Sequence, residues 1–323
     1  MKLVKMMSDK AIYYYKVAGF TFGAVLPEGK DALKLLPSFV PFVSEDDAAS
    51  GLLFVLDATK SLPSSWPGER PVDDMSNDMG RTTLSQTDGQ YIVRLRPRPG
   101  SPVHLMAAGK DFSYAEADID WNDPHVSGAL ASLLRIIYSQ SVLRHGAVAV
   151  HASAVDDGRM AYLFTGKSGT GKSTHSSLWL RHVPGTSLIN DDNPVVRTEI
   201  GGIMVYGTPW SGKTPCYRNI CRPLGGVVRL VQAPENKFMR KHDIEAFSLL
   251  LPGCSAIRTD QALFDALCDI LSLISVSVPV GLLECRPDFD AVDTCRKGIK
   301  TALESMEGIM PENGSEKGKI LMH

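Results

Sequence analysis

The chain has 323 residues, of which 44% are apolar and 22% charged, as in ordinary soluble globular proteins. Its 34 Lys and Arg nearly balance 36 Asp and Glu, so the charge does not indicate a nucleic acid or an acidic membrane surface as partner. The most apolar run, residues 126–143, is interrupted by Arg135, and the N-terminus lacks the apolar core of a secretory signal. The sequence therefore predicts a cytoplasmic protein that binds neither nucleic acid nor membrane.

Residues 1–120 carry strand patterns and no recognisable chemical motif. Runs of β-branched, aromatic and leucine residues predict strands at 12–22, 51–56, 90–95 and 103–107. The span 61–77 is rich in Pro, Ser, Asp and Asn, which predicts turns. We expect a smaller, β-rich N-terminal domain over residues 1–120, with no role assigned to it.

Residues 121–310 alternate between strand and helix patterns. A helix is predicted from Asn122-Asp123-Pro124, and the strict alternation of AVAVHASAV, residues 147–155, predicts one strand with His151 and Ser153 on the same face. Further strands are predicted at 160–165, 186–189, 195–198, 204–206, 226–231 and 278–284, and helices at 172–182, 242–250, 260–274 and 289–304. The pattern predicts an α/β or α+β domain with a mixed, twisted sheet flanked by helices. A flexible tail is expected over 311–323.

The segment GKSGTGKS, residues 166–173, has the spacing G-x-x-x-x-G-K-[ST] of a phosphate-binding loop. A predicted strand enters it and a predicted helix leaves it. Glycines let consecutive N–H groups face one anion, Lys172 places a charge on the β- and γ-phosphates, and the Ser173 hydroxyl can bind Mg²⁺. ATP and Mg²⁺ are therefore the expected cofactors. The expected nucleotide-binding residues are Gly166, Lys167, Ser168, Gly169, Thr170, Gly171, Lys172, Ser173 and Thr174.

Asp191 and Asp192 follow the strand predicted at 186–189. Two carboxylates near a phosphate-binding loop are suited to hold Mg²⁺ together with Ser173, or to accept the proton of an attacking hydroxyl. Asp-Asp-Asn-Pro is also good turn chemistry. Because the pair follows a phosphate-binding loop, we favour the catalytic interpretation and leave open which aspartate binds metal and which acts as base.

With a phosphate-binding loop, one helix and then an Asp-Asp pair, residues 122–302 resemble the HPr kinase/phosphorylase family and, more distantly, ATP-dependent phosphoenolpyruvate carboxykinase. His151, in VHASAV, matches a histidine that bacterial HPr kinases carry on the strand before the loop. The resemblance implies a phosphoryl-transfer site of Lys172, Asp191, Asp192 and His151. HPr kinases assemble into hexamers, which leaves a homo-oligomer open, although no interface signature carries over.

The chain departs from HPr kinases downstream of the aspartates. The family's Glu-x-Arg-Gly-x-Gly stretch is absent, and GTPWSGK, residues 207–213, stands there instead, so the resemblance does not imply HPr as the acceptor. Lys213 and Arg218 lie in the loop predicted over residues 207–222, which contains glycines, prolines and cations, and they are candidates to bind the acceptor or the transferred phosphoryl group. A solvated basic loop fits the composition equally well.

The function we expect is an ATP/Mg²⁺-dependent kinase acting on a hydroxyl, for example the serine of a peptide or protein, or on a small molecule. Two alternatives stay open. One is a carboxykinase-like enzyme, and the other is a nucleotide-binding regulator or peptide-binding module without turnover.

Overall fold

The computed structural model describes residues 5–7, 10–45, 51–77, 80–212 and 214–307. It is a mixed α/β fold with two nine-stranded sheets in those ranges. The first sheet has the order β1-β2-β3-β4-β9-β8-β7-β6-β5, and all its pairs are antiparallel except β3–β4 and β4–β9. Its strands are β1 (Lys5–Met7), β2 (Lys10–Val17), β3 (Phe20–Pro27), β4 (Val55–Asp57), β5 (Arg70–Asn77), β6 (Gly80–Gln86), β7 (Gln90–Arg96), β8 (His104–Gly109) and β9 (Tyr114–Asp118).

The second sheet has the order β10-β14-β15-β16-β12-β11-β13, and β18 pairs with both β16 and β17. The long strand β16 connects the two halves of this sheet. Its first residues pair with β15 in antiparallel orientation, and its remainder pairs in parallel with β12 on one side and β18 on the other. The strands are β10 (Ala147–Ala149), β11 (Ala152–Asp156), β12 (Ala161–Thr165), β13 (Ser187–Asn190), β14 (Val195–Glu199), β15 (Gly202–Tyr206), β16 (Cys221–Gln232), β17 (Lys237–Lys241) and β18 (Val280–Cys285).

The helices pack around these sheets. They are α1 (Ala32–Leu35), α2 (Val126–Ser141), α3 (Lys172–His182), α4 (Asp243–Leu250), α5 (Gln261–Ser277) and α6 (Phe289–Glu307). The segment Val126–His145, which is α2 and the 3₁₀ turn after it, is long and apolar enough to cross a membrane, but 67% of its apolar window is buried inside the protein. It therefore packs as the core helix of a globular protein does.

Helix α2 and strand β14 of the second sheet both bond the end of β2 and the turn after it. The Tyr138 hydroxyl donates a hydrogen bond to the carbonyl oxygen of Val17 in β2 (3.0 Å). The turn after β2 is a two-residue hairpin with positive φ at Ala18 (49°) and Gly19 (82°). Arg197 of β14 donates to the carbonyl oxygen of Ala18 (2.7 Å). One buried apolar cluster includes residues of both sheets, so the two sheets share a core.

The predicted strand at 147–155 is wrong in one respect, because it is two strands. Strand β10 pairs with β14, whereas β11 pairs with β12 and β13. At the break, the N–H of Val150 donates to Pro194 (3.0 Å) and that of His151 to Gly253 (2.7 Å). The chain changes partners there, and the alternation of apolar side chains does not reveal such a change.

Three further elements differ from expectation. The strand predicted at 12–22 is two strands, the end of β2 and the start of β3, because the chain turns back at Ala18 and Gly19. Residues 70–77, predicted as turns, form β5, an edge strand whose side chains are almost all exposed. Its backbone pairs with β6 without burying a face, so no hydrophobic alternation marks it. Helix α2 begins at Val126 rather than at Asn122, because the Asp123 carboxylate accepts the N–H of His125 (2.9 Å) and closes a turn first. The helices and strands predicted after residue 160 are confirmed within a few residues.

Candidate functional site

The loop 166–171 connects β12 to α3. Gly166, Gly169 and Gly171 have φ of 151°, 81° and 99°, which favours glycine over other residues. At Gly166 a Cβ atom would lie 2.5 Å from Thr170 Oγ1 and 3.2 Å from the carbonyl oxygen of Leu230. The loop is therefore folded tightly against β16, and only glycine fits at its first position.

Helix α3 begins at the end of this loop without a capping side chain. Its N-cap residue is Gly171, so no side-chain oxygen accepts the N–H groups of the first turn. Unpartnered N–H groups and the positive end of the helix dipole favour an anion at this point. Ser173 and Thr174 in that turn are exposed, and neither hydroxyl forms a hydrogen bond within the described residues.

The Lys172 ammonium lies over the loop. It donates to the carbonyl oxygens of Gly166 (3.2 Å) and Lys167 (3.3 Å). Burial lowers the pKa of Lys172, and the charges of Asp192 and Asp191 act against that lowering. The same two carboxylates therefore lie close enough to influence the loop lysine. The Lys167 and Ser168 side chains are exposed, and the Thr170 hydroxyl donates to the Lys167 carbonyl oxygen (2.8 Å).

Asp192 is held by the Arg135 guanidinium and the His151 ring. Its Oδ1 lies 3.0 Å from His151 Nδ1, and its Oδ2 lies 2.9 Å from Arg135 Nη1. Burial alone would raise the pKa of Asp192, but the His151 hydrogen bond and the Arg135 charge outweigh it and hold the pKa below its usual value. The contact through Nδ1 leaves Nε2 of the His151 ring, whose side chain is 41% exposed, available to a ligand.

Asp191 is buried and only half satisfied. Its Oδ1 accepts a hydrogen bond from the Ser153 hydroxyl (2.8 Å), which in turn accepts one from Ser176 (2.6 Å). Its Oδ2 is buried and has no hydrogen-bond partner among the described residues. Because a buried carboxylate oxygen without a donor is costly in the interior, this atom is suited to receive a cation or a donor that the described residues do not supply. Within the described ranges, no group of three or more His, Cys, Asp or Glu residues could hold a metal alone.

Asn190, the last residue of β13, fixes the geometry of the pair. Its Oδ1 accepts the N–H groups of Asp192 (2.9 Å) and Asn193 (2.7 Å). Its Nδ2 lies within 3.3 Å of oxygen atoms of Thr208 and Trp210. One fully buried amide therefore joins the aspartate turn to the loop that follows β15.

We expect Asn190→Ala to lower the free energy of unfolding by about 3 kcal/mol, because it leaves several buried polar groups without partners. Urea unfolding would measure the loss. The matched control is Asn219→Ala: Asn219 is exposed and donates one hydrogen bond to Pro41 (3.2 Å), so its loss should change stability by less than about 0.5 kcal/mol. Equal effects of the two variants would contradict the role given to Asn190.

The 207–222 loop, proposed from sequence as an acceptor site, lies over the aspartates. A Cβ atom at Gly212 would stand 2.8 Å from the carbonyl oxygen of Asp191. Arg218 donates to the Ser187 hydroxyl (2.8 Å) and the Leu188 carbonyl oxygen (2.7 Å) of β13, so its guanidinium anchors the loop. Lys213 lies outside the described residues.

Trp210 of the same loop is buried, and its indole N–H donates to the carbonyl oxygen of Ala131 in α2 (2.9 Å).

His175 of α3 is a second, buried histidine behind the loop. The Trp179 indole donates to its Nε2 (3.0 Å), and its ring contacts Phe164 edge-on. Burial lowers the pKa of His175 to about 4. The neutral ring therefore stabilises the fold fully above pH 6.5, and this contribution is lost as the pH falls from 6.5 towards 4, because the unfolded chain binds the proton first.

Between pH 7 and pH 5 the wild type should therefore lose about 2 kcal/mol more unfolding free energy than His175→Gln. Glutamine cannot titrate, and its side-chain oxygen can still accept the Trp179 indole. Chemical denaturation at the two pH values measures the difference. Parallel losses in both proteins would show that His175 is protonated to the same extent in the folded and unfolded states.

Three residues of the site are missing from the expectations drawn from sequence: Arg135, Asn190 and Ser153. Arg135 is recognisable in the sequence only as the single charged residue of an apolar helix. This is a usable signal, because a charge on a buried helix face needs a partner. Asn190 looks like any polar residue at the end of a strand. Ser153 looks like any polar residue in a strand of alternating polar and apolar side chains, so the sequence gives no signal for either.

Comparisons with protein-family models and with curated proteins give no match. Among solved structures, the chain is similar to the Hpr(Ser) kinase/phosphatase from Coxiella burnetii, with 14% sequence identity, 50% of this chain and 93% of that chain covered, and a TM-score of 0.31. This is a distant structural relation, and it does not assign a function.

Proposed function

We propose that the protein is an ATP- and Mg²⁺-dependent kinase that transfers the γ-phosphoryl group to a hydroxyl. The observation that carries the proposal is the arrangement of a glycine-built loop, its lysine and two carboxylates, one of which has a buried oxygen with no partner among the described residues. Phosphoryl transfer needs positioning and charge neutralisation more than covalent chemistry. A cytoplasmic location, where ATP and Mg²⁺ are supplied, is part of the proposal.

Asp191 and Ser173 are the residues that would hold Mg²⁺. The unpartnered Oδ2 of Asp191 and the unbonded hydroxyl of Ser173 are hard oxygen donors, which magnesium prefers. When bound, the ion neutralises charge on the phosphate oxygens. The loop N–H groups and Lys172 would bind the phosphates themselves.

The Asp192–His151 pair would receive the proton of the acceptor hydroxyl. Asp192 fixes the ring through Nδ1 and leaves Nε2 free, so the base function would belong to the pair as a unit. Arg135 holds Asp192 from the other side and keeps it ionised. The proposal thus gives the two aspartates different roles, which the sequence leaves open.

The test is calorimetric titration of ATP with and without Mg²⁺, followed by ATP consumption in the presence of hydroxyl compounds and serine peptides. Mg²⁺-dependent binding together with acceptor-dependent ADP formation supports the kinase. Binding without turnover for any acceptor would indicate a nucleotide-binding regulator, and turnover that requires oxaloacetate or bicarbonate would indicate a carboxykinase. Absence of ATP binding would refute all three.

A further inference from the structure

A cavity of about 410 Å³ lies between α2, the 207–222 loop and the segment after β7, and one of its lining side chains, Arg135, connects it to Asp192. Ser211 of the loop lines it as well, one residue before the close approach of Gly212 to Asp191. The volume is in the range of small-molecule sites.

The charges around this cavity are of one sign. Arg98, just after β7, and Arg135 are among its lining residues, together with His125, and the described lining includes no Asp or Glu. Arg135 is engaged with Asp192, whereas the exposed Arg98 guanidinium forms no hydrogen bond or ion pair within the described part of the chain. An arginine fork of this kind suits a carboxylate.

The cavity also has a serine hydroxyl and an apolar wall. Ser132 of α2 lines the cavity. Its hydroxyl can donate to or accept from a polar group of a ligand. Pro209 and Trp210 supply the apolar wall. A few polar groups in a partly apolar cavity are typical of small-molecule sites.

We infer that this cavity binds the phosphoryl acceptor, and that the acceptor is a small hydroxy acid whose carboxylate pairs with Arg98. The inference rests on the proposed kinase function and adds the substrate class. In the reaction, a bond forms between the acceptor oxygen and the γ-phosphorus, and the bond from that phosphorus to the β–γ bridging oxygen breaks. ADP leaves, and the hydroxyl proton passes to the Asp192–His151 pair.

The experiment compares acids with amides that lack the negative charge. The probes are N-acetyl-L-serine against N-acetyl-L-serinamide, and mandelate against mandelamide, titrated into wild type, Arg98→Gln and Arg96→Gln with Mg²⁺ and a non-hydrolysable ATP analogue present. Arg96 is the matched control, because it is exposed in the same segment but donates to Ser101 (3.1 Å) and does not line the cavity. MgATP affinity is measured for each protein.

The wild type should bind at least one acid about tenfold more tightly than its amide, by the usual worth of a charge-assisted contact. Arg98→Gln should abolish that preference, while Arg96→Gln should keep it, with MgATP affinity unchanged in both. Equal binding of acid and amide, binding of neither, or the same loss in both variants overturns the inference while MgATP binding leaves the proposed function intact. Loss of MgATP binding in the wild type instead overturns the proposed function and this inference together.

Discussion

Lys172→Ala is expected to weaken MgATP binding by about 10- to 150-fold and to lower phosphoryl transfer by at least about 10²-fold. The ammonium lies over the loop, and among the described residues it donates to the carbonyl oxygens of Gly166 and Lys167. A charge-assisted hydrogen bond to phosphate contributes about 1.5–3 kcal/mol, and more where charge develops in the transition state. Calorimetry and single-turnover kinetics measure the two effects separately.

The fold should survive this change. Lys172 is the first residue of α3, where alanine is a good helix former, so the free energy of unfolding should shift by less than about 1 kcal/mol. The matched control is Lys167→Ala, which removes an exposed loop lysine whose ammonium forms no hydrogen bond or ion pair within the described residues. If Lys172→Ala kept the ATP affinity and turnover of the wild type, the assignment of the phosphate-binding loop would be refuted. If Lys167→Ala had an equal effect, the result would reflect the loss of any positive charge near the loop and not a specific contact of Lys172.

Asp191→Asn and Asp192→Asn are expected to differ in kind. Asp191→Asn keeps an acceptor for the Ser153 hydroxyl but loses the second anionic oxygen, so it should raise the Mg²⁺ concentration needed for half-maximal rate. Asp192→Asn should bind MgATP normally but transfer about 10²- to 10⁴-fold more slowly. His151→Gln should resemble Asp192→Asn, because the pair acts as a unit. Magnesium titrations of the initial rate distinguish the variants.

A suitable control is Asp157→Asn, in the turn between β11 and β12, where the carboxylate accepts only local contacts from Arg159, Met160 and Tyr162. It should leave the rate and the magnesium requirement unchanged. If Asp191→Asn and Asp192→Asn both behaved like this turn variant across the titration, the Asp-Asp pair would be a structural turn and the site would lie elsewhere.

The parts of the fold predicted well from sequence are those with a local cause. Helix α3 follows from the glycine loop before it, and β12 from an apolar run that ends at Thr165. Strand β5 could not be predicted, because its stability comes from pairing with β6 and not from buried side chains. The break at Val150 could not be predicted either, because it arises where the chain changes from pairing with one strand to pairing with another: β10 and β11 pair with different strands.

The candidate site divides in the same way. Residues 166–173 and Asp191-Asp192 are recognisable because a fixed spacing carries their chemistry. Arg135 comes from a helix more than fifty residues away, and no spacing rule connects it to Asp192. Asn190 acts by bonding the 207–212 segment, a contact defined only by the fold. Residues that position the catalytic groups are therefore recognised only from the folded structure, because their contacts join segments that are far apart in the sequence.

The shared core has a consequence for how this protein can change over time. Helix α2 bonds β2 through Tyr138 and the site through Arg135, and Arg197 of the second sheet bonds the β2–β3 turn. The β2–β3 turn is therefore connected to the site through α2. Substitutions in this turn, which is remote from the phosphate-binding loop, are expected to change the position of α2 and with it that of Arg135, so they offer a route by which the site can change.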